Sequence, residues 1–304
     1  MTAHHPGFGT GTPDRRLWAS AGLNLGVTLI ECAAGLWAGS LALLSDAAHN
    51  VADVGALGLA IIARRLGRRA PTPRHTYGLK RAEVVAALTN AAVLIAISIL
   101  IGGEAVGRLA HPAPVNAPVM LMAAIVALVA NAASMLLLRK HRGDDINVRS
   151  AFLHLAQDAL TSLAVVVAAL FARTAAGTYV DPAAALLIGI VVVGSSVAIV
   201  RESLQTLLEA APFGVDVKQL AAEVADRFDN VRLHHVHVWE VGLGQRALTA
   251  HMKVGAISLT EAEMAAMEVR RYLRAQWGIT HATLEAEASS CGREQLLGEW
   301  TGMQ

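Results

Sequence analysis

Two long runs without an ionisable residue constrain this chain more than any other feature. Residues 84–103 and 117–138 contain no Asp, Glu, Lys, Arg or His. A helix needs about 20 predominantly apolar residues to cross the hydrocarbon core of a bilayer, and both runs have that length. The composition agrees, because 54% of the residues are hydrophobic and only 16% are charged, against about 25% charged in soluble proteins. The chain is therefore predicted to be an α-helical membrane protein.

Six transmembrane helices are predicted from the distribution of apolar residues. Their expected spans are 17–38, 41–63, 84–103, 117–138, 151–172 and 180–200. Only Gly39 and Ser40 join the first two spans, so these helices should form a tight hairpin. The polar N-terminal residues do not resemble a cleaved signal peptide. An even number of spans places both ends of the chain on the same side of the membrane.

Basic residues are concentrated on one side of the predicted membrane domain. Thirteen Lys and Arg residues lie before the first span and in the loops after the second and fourth spans, whereas the opposite side carries only Arg108 and Arg173. Cytoplasmic loops of membrane proteins carry such an excess, so both termini are predicted to be cytoplasmic. A net charge of +1 gives no indication of a nucleic-acid partner. Cys32 and Cys291 are too few and too far apart for a disulfide framework.

The residues after Arg201 have the pattern of a small α+β domain in the order αββαβ. Amphipathic periodicity predicts helices at 215–229 and 260–277, the second with Ser258 or Thr260 as its cap and Gly278 as its end. Alternation predicts strands at 231–241, 247–254 and 280–287. The expected organisation is an N-terminal segment, a six-helix membrane domain, a cytoplasmic domain and a tail, with the respective bounds 1–16, 17–202, 203–291 and 292–304.

The most informative polar residues are two His-Asp pairs inside predicted spans. His49 and Asp53 lie in the second span, and His154 and Asp158 lie in the fifth. A spacing of four residues places both members of a pair on one helix face. Two such helices facing each other would present two imidazoles and two carboxylates, which suit a tetrahedral divalent cation such as zinc. Isolated residues satisfied by neighbouring helices are the alternative, but burying Asp costs at least about 2.5–3.5 kcal/mol and the pattern occurs twice.

The roles of the other polar residues within the spans are less clearly indicated by the sequence. Asp46 precedes His49 by one turn, and it either lines a path to the site or is wetted at a helix end. Hydrogen bonds between helices are the expected role of four further residues, Asn24, Glu31, Asn90 and Asn131. Asp181 and Pro182 are predicted to begin the sixth helix, with Asp181 as its cap.

Five motifs of this sequence resemble signatures of the cation diffusion facilitator family, in its zinc-transporter branch of bacterial type. They are Ser45-Asp46-Ala47-Ala48-His49 with Asp53, His75-Thr76-Tyr77-Gly78 with Arg81 and Glu83, Asn147-Val148-Arg149-Ser150-Ala151-Phe152-Leu153-His154, Asp181-Pro182, and His234-His235-Val236-His237-Val238-Trp239. The resemblance extends from about residue 17 to residue 291.

This resemblance implies a homodimer of six-span protomers with metallochaperone-like cytoplasmic domains in a bacterial inner membrane. It implies export of Zn²⁺, or of Cd²⁺, Co²⁺ or a similar ion, in exchange for protons. The implied transport ligands are His49, Asp53, His154 and Asp158. Relatives with Asp at the first position are less selective against cadmium, so His49 favours zinc. Arg81 and Glu209 match positions at which relatives form an interlock between the membrane part and the tail.

Five histidines in the last third of the chain predict a second zinc site in the cytoplasmic domain. By resemblance, its ligands are His234, His251 and His281 with Glu287 as a partner. Weaker candidates are His237, Glu285, Cys291 and His75. Strand alternation predicts His235 on the face opposite His234.

A further loop site, which some relatives build from an Asp and two His, is expected to be absent. Only His75 is kept among the three matching positions, since Thr72 and Leu79 occupy the others. A lone His seldom holds zinc. The segment 140–149 also lacks the His-rich loop of many eukaryotic relatives, since it contains only His141.

Two other functions fit parts of the pattern. A membrane-bound metal sensor would use the tail site without transporting anything, but it leaves the costly His-Asp pairs in the membrane unexplained. An intramembrane metalloenzyme would need an open metal position and a general base, and the sequence has no His-Glu-x-x-His or other hydrolytic motif. A transporter is therefore expected, and an enzyme is not.

Overall fold

The computed structural model describes residues 15–139, 146–172, 174, 177–242, 244–289 and 295–297. Six long helices come first: α1 Arg15–Ala38, α2 Leu41–Gly67, α3 Ala82–Ala110, α4 Ala117–Arg139, α5 Ile146–Phe171 and α6 Gly177–Leu207. They are followed by α7 Val217–Arg227, β1 Arg232–Gly242, β2 Gln245–Lys253, α8 Leu259–Trp277 and β3 Ile279–Glu287. Each predicted span coincides with a helix, and the predicted order αββαβ is confirmed.

Apolar length distinguishes the six long helices from one another. Within the described residues, three stretches are long and apolar enough to cross a membrane: Ala82–Ala110, Ala117–Leu136 and Gly177–Leu207. Gly22–Ala38 and Leu155–Phe171 are apolar but shorter, and α2 is less apolar because it carries Asp46, His49 and Asp53. Large apolar side chains point outward from these helices, with Trp37 and Leu100 79% and 74% exposed. Such a surface suits contact with lipid.

The described residues form two compact units. The first contains residues up to 57 together with 90–197, and the second contains 58–89 together with the residues from 198 onward. The core of the first unit is built from small and branched side chains of the long helices, among them Leu43, Met120, Val165 and Ala185. Small residues let helix backbones approach closely, which favours association where burial from water supplies no driving force.

Asp181 caps α2, and the prediction that it caps the sixth helix is wrong. Helix α6 already begins at Gly177, so Asp181 and Pro182 lie inside it. The buried carboxylate accepts three hydrogen bonds at the start of α2, from the Ser40 hydroxyl, from the Leu41 amide at 2.8 Å and from the Ala42 amide at 3.3 Å. The first amides of any helix lack partners within that helix. Ser40 caps α2 locally by accepting from the Leu43 amide at 3.2 Å, and the carboxylate supplied by α6 satisfies the two amides before it.

A mixed three-stranded sheet organises the second unit. Its strand order is β1-β2-β3, with β1 and β2 antiparallel and β2 and β3 parallel. Because parallel neighbours need a crossover connection, α8 lies between β2 and β3 in the chain. The core brings together Leu220 and Val224 of α7, Met252 of β2 and Val269 and Leu273 of α8.

Local signals fix both ends of α8. Ser258 is the N-cap, and it exchanges side-chain and backbone hydrogen bonds with Glu261 in a capping box. Gly278 ends the helix in the left-handed conformation with φ +65°. Glycine adopts this conformation without the steric cost that a Cβ would bring. The predicted end at Gly278 is confirmed, and Ser258 rather than Thr260 is the cap.

Strand β1 carries a bulge between His234 and His237. His235 occupies it in the left-handed region with φ +49°. Its amide donates to the Gln295 carbonyl at 3.1 Å, and the Val236 amide donates to the Leu296 carbonyl at 2.8 Å. The extra residue breaks the alternation of side chains along the strand. The segment 295–297 thus supplies acceptors to the bulged part of β1.

Candidate metal sites

Three potential ligands meet in the first unit. His49 and Asp53 on α2 and Asp158 on α5 offer ligand atoms that all lie within 4.8 Å of one another. The His49 Nε2 atom is 3.5 Å from an Asp53 carboxylate oxygen, as their spacing of four residues predicts. Asp158 is 0% exposed and His49 is 7% exposed. A divalent cation at this position would offset the repulsion between two carboxylates held in an apolar bundle.

His154 lies on α5 one turn before Asp158. Its side chain is outside the part of the chain that the structure describes. The spacing of four places both residues on the same helix face. His154 therefore stays a predicted fourth ligand.

Two further buried carboxyl groups lie close to this cluster. Asp46 is 1% exposed, which excludes a residue wetted at a helix end, and it accepts a hydrogen bond from the Ser162 hydroxyl at 3.3 Å. Glu31 accepts one from the Asn50 side chain at 3.0 Å, which confirms the predicted bond between helices. Asn131 also bonds between helices, since its amide donates to Ser162 at 3.4 Å.

A second cluster joins the three strands of the sheet. His234 on β1, His251 on β2 and Glu287 on β3 offer ligand atoms within 4.8 Å of one another. Glu287 contacts both rings, at 2.6 Å from the His251 Nδ1 atom and 3.1 Å from the His234 Nε2 atom. Glu285 is more distant, with 3.8 Å between its carboxylate and the His251 Nε2 atom, and its side chain is 72% exposed. Two imidazoles and a carboxylate are a ligand set that zinc accepts.

His235 lies beside this cluster, so the prediction that it faces away from His234 is wrong. Its ring centroid is 5.2 Å from that of His234 and 5.0 Å from that of His251. The bulge is the physical reason, because one extra residue with positive φ places two successive side chains on the same side. The sequence offers no separate signal for a bulge here, since strict alternation describes the flanking residues equally well.

His281 is separated from the cluster, which corrects its predicted grouping with His234 and His251. In the parallel register His281 pairs with Ala247, whereas Glu285 pairs with His251. Four residues along a strand correspond to about 13 Å. The His281 ring instead packs edge-on to Tyr77 at 6.4 Å between centroids.

The remaining candidates lie elsewhere. His75 and His237 line a cavity of about 980 Å³ in the second unit, and neither belongs to a described cluster of metal ligands. Cys291 is outside the described residues. The predicted pairing of Arg81 with Glu209 is present as a contact of 2.8 Å, with side chains 34% and 61% exposed. An exposed pair of this kind stabilises a protein by about 0–1 kcal/mol.

Long apolar helices around a buried cluster of imidazole and carboxylate are typical of a membrane protein with a candidate metal site inside its helical bundle. Comparison with known families agrees over most of the chain. Residues 17–208 match the cation efflux transmembrane domain, and residues 214–289 match the cytoplasmic domain of cation efflux proteins. The chain therefore belongs to the cation efflux family, the cation diffusion facilitators.

Relatives with assigned roles cover nearly the whole chain. The zinc transporter ZitB of Escherichia coli (strain K12) is 37% identical over 281 residues, which are 91% of this chain and 88% of that protein. The cadmium, cobalt and zinc/H(+)-K(+) antiporter of Bacillus velezensis is 31% identical over 97% of this chain and 95% of its own length. The metal cation efflux system protein CzcD of Cupriavidus metallidurans is 31% identical over 96% and 92% respectively.

Proposed function

We propose that this protein exports Zn²⁺ from the cytoplasm in exchange for protons, with Cd²⁺ and Co²⁺ as further substrates. The observation that carries this proposal is the meeting of His49, Asp53 and Asp158 inside an apolar helical bundle. His154 completes the set on the same face of α5 as Asp158. The zinc transporter and antiporter names of the relatives support the same function.

Proton competition couples the ion to the gradient. Zinc binds neutral imidazole and ionised carboxylate, so each ligand that takes up a proton loses its affinity for the metal. A free imidazole titrates near pH 6.5, close to the working pH of the cell. The deprotonated site takes zinc on the cytoplasmic side. Protonation of His49 or His154 on the other side expels zinc, and the protons return inward.

The ligand set argues for a carrier rather than for an enzyme. Four protein ligands close a tetrahedral shell, whereas a hydrolytic zinc keeps one position for water. A membrane-bound sensor, the second candidate, would require only the cluster on the sheet. Directional flux distinguishes the three functions, because neither a sensor nor an enzyme moves zinc across a membrane.

The sheet cluster holds a second, non-transported zinc ion. Its ligands are His234, His251 and Glu287, with His235 as the fourth ligand that the bulge supplies. Three imidazoles and one carboxylate would fill all four positions of a tetrahedral shell, and a closed shell is typical of structural zinc sites. A non-Gly residue kept at positive φ costs free energy, and such strain is common at binding sites. Zinc at this position would tie the three strands together and favour the dimer.

A titration of zinc against a chromophoric chelator tests the sheet site in the full-length protein. His251→Ala should remove one tight zinc equivalent, and His235→Ala should weaken it about 10-fold or more. His281→Ala is the matched control, because that ring lies at the other end of β3. Equal affinity in wild type and His251→Ala would reject the site. Equal affinity in wild type and His235→Ala would reject the fourth ligand.

The proposed position in the cell rests on the charge distribution. Thirteen basic residues on one side against two on the other favour cytoplasmic termini. The protein then lies in a bacterial inner membrane as a homodimer, with a membrane domain at 17–202 and a cytoplasmic domain at 203–291. The match to the family's cytoplasmic domain supports this arrangement.

Zinc flux into proteoliposomes under a proton gradient tests the transport function. Wild type should show gradient-dependent flux. Asp158→Ala should abolish this flux while the protein still unfolds cooperatively on heating, which shows that the variant is folded. Glu268→Gln replaces an exposed residue of α8, and this control variant should keep full flux. Folded wild type that binds zinc without moving it would favour the sensor. Flux of another metal, but not of zinc, would overturn the substrate.

A further inference from the structure

Two buried carboxyl groups in the helical bundle are not among the proposed metal ligands. Glu31 on α1 is 0% exposed and Asp46 on α2 is 1% exposed. The two carboxyl groups lie close enough for each to act on the other. Isolated carboxylates at such depth are costly, and in membrane proteins they commonly mark proton or ion pathways.

The hydrogen bonds around this pair are asymmetric. One oxygen of Glu31 accepts from Asn50, and one oxygen of Asp46 accepts from Ser162, which itself accepts from Asn131. The other oxygens, Glu31 Oε1 and Asp46 Oδ1, have no hydrogen-bond donor among the described residues. Each carboxyl group therefore has one oxygen without a donor, and a proton shared between the two neighbouring groups would supply it.

Electrostatics also indicates that the two carboxyl groups share one proton. Two carboxylates this close inside a low-dielectric bundle cannot both remain ionised, so one proton is shared. Among the described residues, the other titratable groups that interact with the pair are His49 of α2, Asp158 of α5 and the thiol of Cys32 next to Glu31. His49 and Asp158 are proposed metal ligands. The remaining partners, Asn50 and the hydroxyls of α5, are neutral.

We propose that Glu31 and Asp46 form a proton-holding pair that supplies one exchanged proton separately from the metal ligands. The proposal rests on the proposed transport function. Zinc arriving between His49 and Asp158 brings two positive charges next to the pair and drives the shared proton out. The pair then carries two negative charges, and their repulsion by Asp53 and Asp158 is smaller because the metal has neutralised those two ligands. When zinc leaves, the repulsion returns and the pair takes up one proton.

The number of protons released per zinc bound measures this exchange. It is obtained by calorimetry of full-length protein in buffers of different ionisation enthalpy near pH 7. All variants carry His251→Ala, so that the sheet site does not contribute. Glu31→Gln should release about one proton fewer per zinc than this background does. Asp46→Asn should give the same loss, and Glu268→Gln is the matched control that should give none.

A purely structural pair would behave differently. Its substitution would lower zinc affinity or thermal stability without changing the number of protons released. An unchanged count in both variants, with zinc still bound, would overturn the proposal. If the His251→Ala background binds no zinc at all, the transport site itself is refuted, and the coupling with it.

Infrared difference spectroscopy on the wild type needs no variant that might misfold. The carbonyl stretch of a protonated carboxyl group should be present before zinc is added and lost afterwards. Protonated aspartate and glutamate are resolved from amide bands in such spectra, and isotope labelling of glutamate would assign the band to one partner. A spectrum without a band that is lost on zinc binding would contradict a proton held by the pair.

Discussion

Replacing Asp181 by alanine should destabilise the first helical hairpin more than any single surface change. The carboxylate accepts from the Ser40 hydroxyl and from the Leu41 and Ala42 amides, and all three residues are 0–4% exposed. The hydroxyl can rotate to another partner, but the two amides cannot. A buried donor without an acceptor costs about 1–3 kcal/mol, so two of them give about 2–6 kcal/mol. Asp181→Asn should cost less, since it keeps one acceptor oxygen.

The assay is the free energy of unfolding in mixed micelles, followed by helical circular dichroism as denaturing detergent increases. Asn116→Ala is the matched control in the same unit. Asn116 is exposed just before α4, and it accepts from the Val119 amide across a long 3.4 Å contact. Water can replace that acceptor, so the cost should be about 0.5 kcal/mol, the low end for an N-cap. If Asp181→Ala cost no more than Asn116→Ala, the buried cap would not stabilise the hairpin.

Three further predictions concern the second unit. Gly278→Ala should lower the free energy of unfolding by about 1–2 kcal/mol in a chemical denaturation curve, because φ +65° strains any residue with a Cβ. The pKa of Glu223 is lowered, chiefly by the hydrogen bond that the Gln219 amide donates to it. The ionised Glu223 therefore stabilises the fold above the ordinary carboxyl range, and this stabilisation is lost as pH falls through the lowered pKa. Glu223→Gln should therefore flatten the acid dependence of unfolding in that window, and a parallel curve would contradict this. Arg81→Glu and Glu209→Arg should each cost less than about 1 kcal/mol by thermal melting and impair zinc flux, and the double swap should restore flux if the two residues form the interlock.

Most of the fold could be predicted because its signals are local. Charge-free runs of helical length mark α3 and α4, and they need no knowledge of what packs against them. The end of α8 follows from Gly278, and its start from Ser258 with Glu261 three residues later. Alternation of apolar residues gave the strands, since each strand of the sheet has one face against the core.

The features that could not be predicted depend on residues far apart in the chain. Asp181 lies 140 residues from the amide that it caps, so its local sequence indicated a cap for the wrong helix. The bulge at His235 takes its acceptors from residues 295 and 296, which no strand pattern includes. The exclusion of His281 from the sheet cluster follows from the parallel register of β3. Periodicity indicates which face a residue occupies, but it does not give the register between neighbouring strands.

The cap on α2 also has a consequence for biosynthesis. The Leu41 amide meets its acceptor only after 140 more residues have been translated. At about 5–20 residues per second, a ribosome needs roughly 7–28 s to add them. During that interval the first hairpin is in the membrane with donors that must find water or lipid headgroups. The hairpin of α1 and α2 therefore reaches its final structure only after α6 has been synthesised. In nascent chains arrested before α6, these two helices should be less stably packed.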